Sequence, residues 1–127
     1  MINYIETLIQ NSLPAGMNIY NRLSHVNSKD TKYPCIAYDI KSIVDNEDYI
    51  SYELDFMYAD LYKNDSTVNQ HFDTGIAVIK DFINTVDQTE SVSRPYTFDV
   101  NSCRYADVLD CTLATLTILI ENKFDCE

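Results

Sequence analysis

The chain has 127 residues, 46% of them hydrophobic, with two Gly and three Pro. That size and composition suit one domain with an ordinary core, and they exclude a low-complexity or linker-dominated chain. Twenty acidic against nine basic residues give a formal charge of −11, which excludes tight nonspecific nucleic-acid binding, because that needs clustered Lys and Arg to release counterions.

In chain order, Ile2, Ile5, Leu8, Ile9 and Leu13 recur at helical spacing, and Pro14, Ala15 and Gly16 stop the helix they predict. Residues 17–21 form a short strand candidate. The polar, aperiodic stretch Asn21–Lys32 reads as a long loop. A strand follows over Tyr33–Ile40, with Ile36, Tyr38 and Ile40 on one face and Pro34 near its start, where a missing N–H matters least. The polar link Val44–Asp48, which carries Asp45, Glu47 and Asp48, leads into a second strand, so the two are expected to form a hairpin.

That second strand, Tyr49–Leu61, is the clearest element. Ile50, Tyr52, Leu54, Phe56 and Tyr58 alternate with Ser51, Glu53 and Asp55, the period of a half-buried antiparallel strand. After a turn at Tyr62–Asp65 the period changes. Val68, Phe72, Ile76, Ile79, Phe82, Ile83 and Val86 mark one helical face, with Asp65 and Ser66 as N-cap candidates. Gly75 inside this helix costs about 1 kcal/mol relative to Ala, which predicts close approach to another backbone, most simply the sheet. The polar stretch Asp87–Pro95 then separates the helix from a strand at Tyr96–Val100.

Residues 107–121 fit either period, but Thr112, Thr115, Thr117, Ile118 and Ile120 are β-branched and decide for a strand. Leu116, Ile118 and Ile120 face one side of it, Leu113 and Leu119 the other. Such a strand needs a cover on each face: the helix layer on one, and a neighbouring subunit as a candidate for the other. The expected architecture is one α+β domain over 1–127, an antiparallel sheet of four to five strands with two α-helices packed mainly on one face.

Little in the chain reads as chemistry. His71 and Asp73 lie two apart on a helix and do not share a face, so they make a poor metal pair and His71 is expected to be exposed. His25 lies in a polar loop with Ser24 and Asp30, and no serine has nucleophile-elbow surroundings. Glu53 with Asp55, and Asp107 with Asp110, are carboxylate pairs. Such pairs on strands more often keep a surface soluble and blunt sheet edges than do acid–base work. Two glycines cannot build a phosphate-cradling loop. Cys35, Cys103, Cys111 and Cys126 have no zinc spacing and are expected to be free thiols. No metal, cofactor or catalytic activity is expected. The N-terminus lacks a signal-peptide pattern, and the apolar run 113–120 is too short to span a bilayer as a helix, so a soluble chain made in a cytoplasm is expected. Ten tyrosines are the main surface signal. Tyr62, Tyr96 and Tyr105, at the ends of elements, are interface candidates, together with His25, Asp45, Glu47 and Asp48.

The passage Ile19 to Arg22, a loop, and then Tyr33-Pro34-Cys35-Ile36-Ala37-Tyr38 resembles the tail-terminator or tail-completion proteins of long-tailed bacteriophages, in which a short strand is followed by a loop and a strand of the form Pro-x-x-x-Tyr. The order of elements from about Ile2 to Glu121 is similar too. The long strand Val108–Glu121 and the acidic tail Lys123–Glu127 depart from the pattern. The resemblance implies a homo-oligomeric ring, commonly of six subunits, in the tail or neck of a virion assembled in a bacterial cytoplasm. Other tail or neck proteins would be its partners, and DNA would pass through the lumen without specific binding. It carries over no catalytic residue. In such a ring an acidic lumen would repel phosphate and let the genome slide. A stand-alone acidic module that captures a basic protein, or mimics DNA as an inhibitor, is the alternative.

Overall fold

A computed structural model describes residues 2–26, 31–61, 63–92, 97–102 and 109–121. Helix α1 (Ile2–Ser12) turns Ile5 and Ile9 inward with Leu13 just beyond it, and the chain then reverses at Gly16, whose φ of 84° is open to glycine. Strand β1 (Asn18–Tyr20) and a 3-10 turn (Leu23–His25) precede β2 (Cys35–Asn46), which is entered through a cis Tyr33–Pro34 bond. Residues Glu47 and Asp48 turn β2 into β3 (Tyr49–Leu61). Helix α2 (Asp65–Asp87), β4 (Ser91–Val92), β5 (Thr97–Ser102) and β6 (Leu109–Glu121) follow.

The α+β single domain is as expected, but the sheet differs. It is mixed and six-stranded among the described residues, in the order β1-β2-β3-β6-β4, with β5 also on β6. The parallel step is β1 on β2. The segment 21–34 is long enough to carry the chain back to the end where it started, which parallel pairing requires. The extra strand, β4, lies inside the stretch expected to be a plain link. Its single apolar side chain, Val92, pairs with Ile118, too short a signal for periodicity to reveal. Residues 109–121 form the expected strand.

Both helices cover one face of the sheet. Ile50, Tyr52, Leu54, Phe56 and Tyr58 of β3 and Ala114, Leu116, Ile118 and Ile120 of β6 meet Ile79, Phe82, Ile83 and Val86 of α2 and Ile5 and Ile9 of α1. Two hydrogen bonds tie α1 down: the Tyr38 hydroxyl donates to Glu6 Oε2 at 3.0 Å, and the Tyr4 hydroxyl donates to Glu90 Oε1 at 2.7 Å. Among the described residues the opposite face is covered at one end only. There Cys35, Ala37, Met57, Ala59, Leu109 and Cys111 are buried with Val26, and Tyr20, Leu23 and Tyr33 pack beside them. The far side of β6, for which a neighbouring subunit was a candidate cover, is thus covered at Leu109–Leu113 by this chain's own Tyr20, Leu23, Val26 and Tyr33. No helix among the described residues is long and apolar enough to cross a membrane.

Helix α2 is capped by Asn64, not by Asp65 or Ser66. The Asn64 side chain accepts from the Ser66 N–H at 3.0 Å and Thr67 returns the bond, a capping box. Gly75 does face the sheet, but what comes close is side chain, not backbone. A Cβ there would stand 2.5 Å from Thr112 Oγ1, 2.9 Å from Thr112 Cβ and 3.0 Å from Tyr58. Gly75→Ala should therefore lower stability by about 1–3 kcal/mol despite the better helix propensity of Ala. A thermal melt checks this, and a stabilised variant would refute the close approach.

Burial also holds phenol and thiol protons in place. It pushes Cys35 up to about 12, helped by Cys111 and Asp60, and pushes Tyr58 up to about 12, helped by Asp60 and Cys35. Tyr38 is raised by burial first and then by Glu6. The ordinary values are 9.0 for the thiol and 10.0 for the phenols, so above them the unfolded chain holds fewer protons than the fold. Stability is therefore full below about pH 9 and falls as pH rises through about 12. Urea midpoints measured across that window should drop steadily, and a flat profile would contradict the burial of these groups.

Candidate functional site

Two places gather polar groups in unusual settings. The first lies between the start of α2 and one end of the sheet. Residues 71, 75, 79, 82 and 86 follow the buried stripe of α2, so His71 turns toward the sheet and is not the exposed helix residue expected. Its side chain is 15% exposed. Nδ1 is 2.6 Å from Asp110 Oδ2, and Nε2 is 3.6 Å from Asp60 Oδ2. Asp60 and Asp110 are paired residues on β3 and β6, and both point to the helix side because they stay in phase with Tyr58 and Thr112. Asp110 is wholly buried. It sits at the start of β6 and is not the exposed strand carboxylate expected. Its Oδ1 and the Thr112 hydroxyl lack hydrogen-bond partners among the described residues.

The imidazole is held from both sides, with a carboxylate at each nitrogen. A general base or metal ligand needs one ring nitrogen aimed at reactant or metal. Among the described residues no three His, Cys, Asp or Glu side chains converge to hold a metal ion. What this arrangement does is pin the first turns of α2 to the two central strands.

The second place is the distal half of the β2–β3 hairpin. β2 and β3 stay in register until a bulge between Ile40 and Ser42. Before it Ile40 lies opposite Leu54, and after it Ile43 lies opposite Tyr52. The extra residue, Lys41, thus lets Ile40 and Ile43 share the helix-side face, which strict alternation would forbid. Lys41 reaches over the other face to Glu53 at 3.4 Å and Asp55 at 3.9 Å, and the Thr115 hydroxyl donates to Asp55 at 2.8 Å. From Lys41 to Tyr49 every residue is exposed, including Ile43 at 36%, Val44 at 51% and Tyr49 at 41%. A cleft of about 430 Å³ opens beside β2, lined by Glu6, Arg22, Tyr38, Ile40, Lys41 and Ile43 among others.

Of the expected interface residues, Asp45, Glu47 and Asp48 gather here, Asp45 near the end of β2 and the other two at the turn, and all are exposed. Tyr62, Tyr96 and Tyr105 lie outside the described residues. The backbone of His25 belongs to the 3-10 turn, but its side chain lies outside what is described, as does Asp30. Asp73 is exposed and Asp107 lies outside the described residues. Cys35 and Cys111 are buried thiols outside any disulfide, while Cys103 and Cys126 lie outside the described residues. Asp60 escaped the sequence reading, although its phase with Tyr58 was available as a signal. Among known proteins, no family model and no curated sequence matches the chain.

Removing the imidazole should expose how the first place works. His71→Ala leaves the buried Asp110 carboxyl without its described partner and should cost about 3 kcal/mol or more. The double variant His71→Ala with Asp110→Ala should cost less than the two single effects summed. Additive losses in a double-mutant cycle would contradict the coupling.

Proposed function

We propose that this chain is a structural subunit of a phage tail or neck ring, of the tail-terminator or tail-completion kind, that serves head–tail joining. The observation that supports it most is the exposed half of the β2–β3 hairpin. It is regular strand with apolar side chains that nothing described in the chain covers, as suits a surface completed by assembly. In the ring, each subunit buries roughly 800 Å² against a neighbour, a standard interface. The stretches 21–32 and 87–95 are the candidate contacts between copies, and the sheet edges are candidate contacts within the wider assembly. DNA passes through the lumen unbound, other tail or neck proteins stack on the ring, and the ring works within the virion after assembly in the host cytoplasm. The chain works without cofactor or catalysis.

A second reading, a stand-alone acidic module that binds a basic protein, draws on Asp45, Glu47 and Asp48 at the hairpin turn and Glu121, which pairs with Tyr49 beside them. Light scattering over a range of concentration and salt separates the two. A closed oligomer near six times 14.6 kDa is the expected result. A monomer under every condition, with no rings in electron micrographs, would overturn the ring in favour of the module.

A further inference from the structure

The two edges of the sheet are treated differently. The outer edge of β6 is covered over most of its length, by β5 at 110–115 and by β4 at 118–119. Among the described residues the outer edge of β2 is paired only with β1, at Cys35–Ala37; the Leu23 N–H of the 3-10 turn reaches the Asp39 side chain at 3.1 Å, and no described strand pairs with β2 from Tyr38 to Asn46. Along that stretch, alternate residues turn backbone N–H and C=O groups away from β3, so a row of donors and acceptors faces outward.

The side chains along this edge select what can join it. Ile43 and Val44 lie on opposite faces of β2 and are both exposed, so an added strand with alternating apolar residues would cover either. Beyond Lys41, the hairpin up to Tyr52 contains Asp45, Glu47 and Asp48 and no cation. Lys41 itself is engaged with Glu53 and Asp55. Edge charges usually serve to repel other strands. Here they are of one sign, on a chain carrying −11. They therefore disfavour a second copy of this chain and favour a strand of opposite charge.

We propose that the edge of β2 over 38–46 is a docking site for an extended basic segment of a different protein, which joins the sheet as a further strand. Backbone hydrogen bonds would supply the register. Ile43, Val44 and the neighbouring cleft would take its apolar residues, and Asp45, Glu47 and Asp48 its Lys or Arg. The inference stands whether or not the chain forms a ring.

The test uses the full chain and three peptides of about nine residues, a length that matches this edge. One alternates lysine with valine, one alternates glutamate with valine, and one alternates lysine with proline, which keeps the charge but cannot extend a ladder. The lysine–valine peptide should bind and slow amide exchange over 42–46 by about tenfold or more, and the other two should not. The variant carrying Asp45→Lys, Glu47→Lys and Asp48→Lys, shown to be folded by circular dichroism, should reverse the preference toward the glutamate–valine peptide. Equal binding of the lysine–valine and lysine–proline peptides would reduce the effect to ionic attraction and overturn strand addition. So would unchanged exchange over 42–46. Protection that rises with protein concentration and no peptide would give the edge to a second copy and overturn the choice of occupant.

Discussion

Thirteen residues of β3 pair with thirteen of β6, from Tyr49 with Glu121 to Leu61 with Leu109, without a slip. Almost everything else is hung on this ladder. Because side chains alternate, one register fixes which residues of both strands meet the helices and which do not. A shift of one place would send Ile50, Tyr52, Leu54 and Phe56 to the side that holds Glu53 and Asp55. It would also separate Asp60 from Asp110, and His71 could then no longer lie between them. The close seating of Gly75 on Thr112 and Tyr58 depends on the same register, since both residues come from facing strands. The long antiparallel pair is thus the element that places the helix, and the helix then seals the pair.

The parts of this architecture that repeat were legible in the sequence. The alternation of β3, the stripe of α2 and the β-branched run of β6 each extend over many residues, so local pattern and tertiary burial agree. What was not legible depends on single residues or on chain direction. Nothing local in Asn18–Tyr20 says whether it pairs parallel or antiparallel, because the answer lies in where the following segment returns. Val92 could not announce a strand alone. Asn64 out-competed its neighbours as N-cap through a reciprocal bond with Thr67, which needs the turn geometry as well as the residue type. His71 belongs to the stripe of Gly75, Ile79 and Phe82, and its spacing from Asp73 carries no sign of that. The cluster of His71, Asp60 and Asp110 brings together three elements distant in sequence, and only the fold makes them neighbours.

The two polar places have opposite characters. Around His71 the polar groups face one another across the helix–sheet boundary, so they act on the protein itself by fixing a helix to a sheet. Around the β2–β3 turn the charges are exposed and of one sign, so their field extends outward. Buried pairs of the first kind add little net stability but are costly to break. Exposed carboxylates of the second kind are screened by salt within about 8–10 Å, so contacts made there respond to ionic conditions in a way the core does not.

The bulge at Lys41 gives the hairpin an odd arithmetic. On the near side of it, inner and outer positions of β2 follow one parity, and on the far side the other. Lengthening or shortening the tip by matched pairs of residues would preserve every facing relation. Losing the single bulged residue would also preserve them, because Ser42 would then follow Ile40 in plain alternation and Ile43 would still lie opposite Tyr52. Sequence drift in this hairpin is therefore quantised. It can change reach in steps of two, or shed the one bulged residue together with its contacts to Glu53 and Asp55, without altering the displayed face.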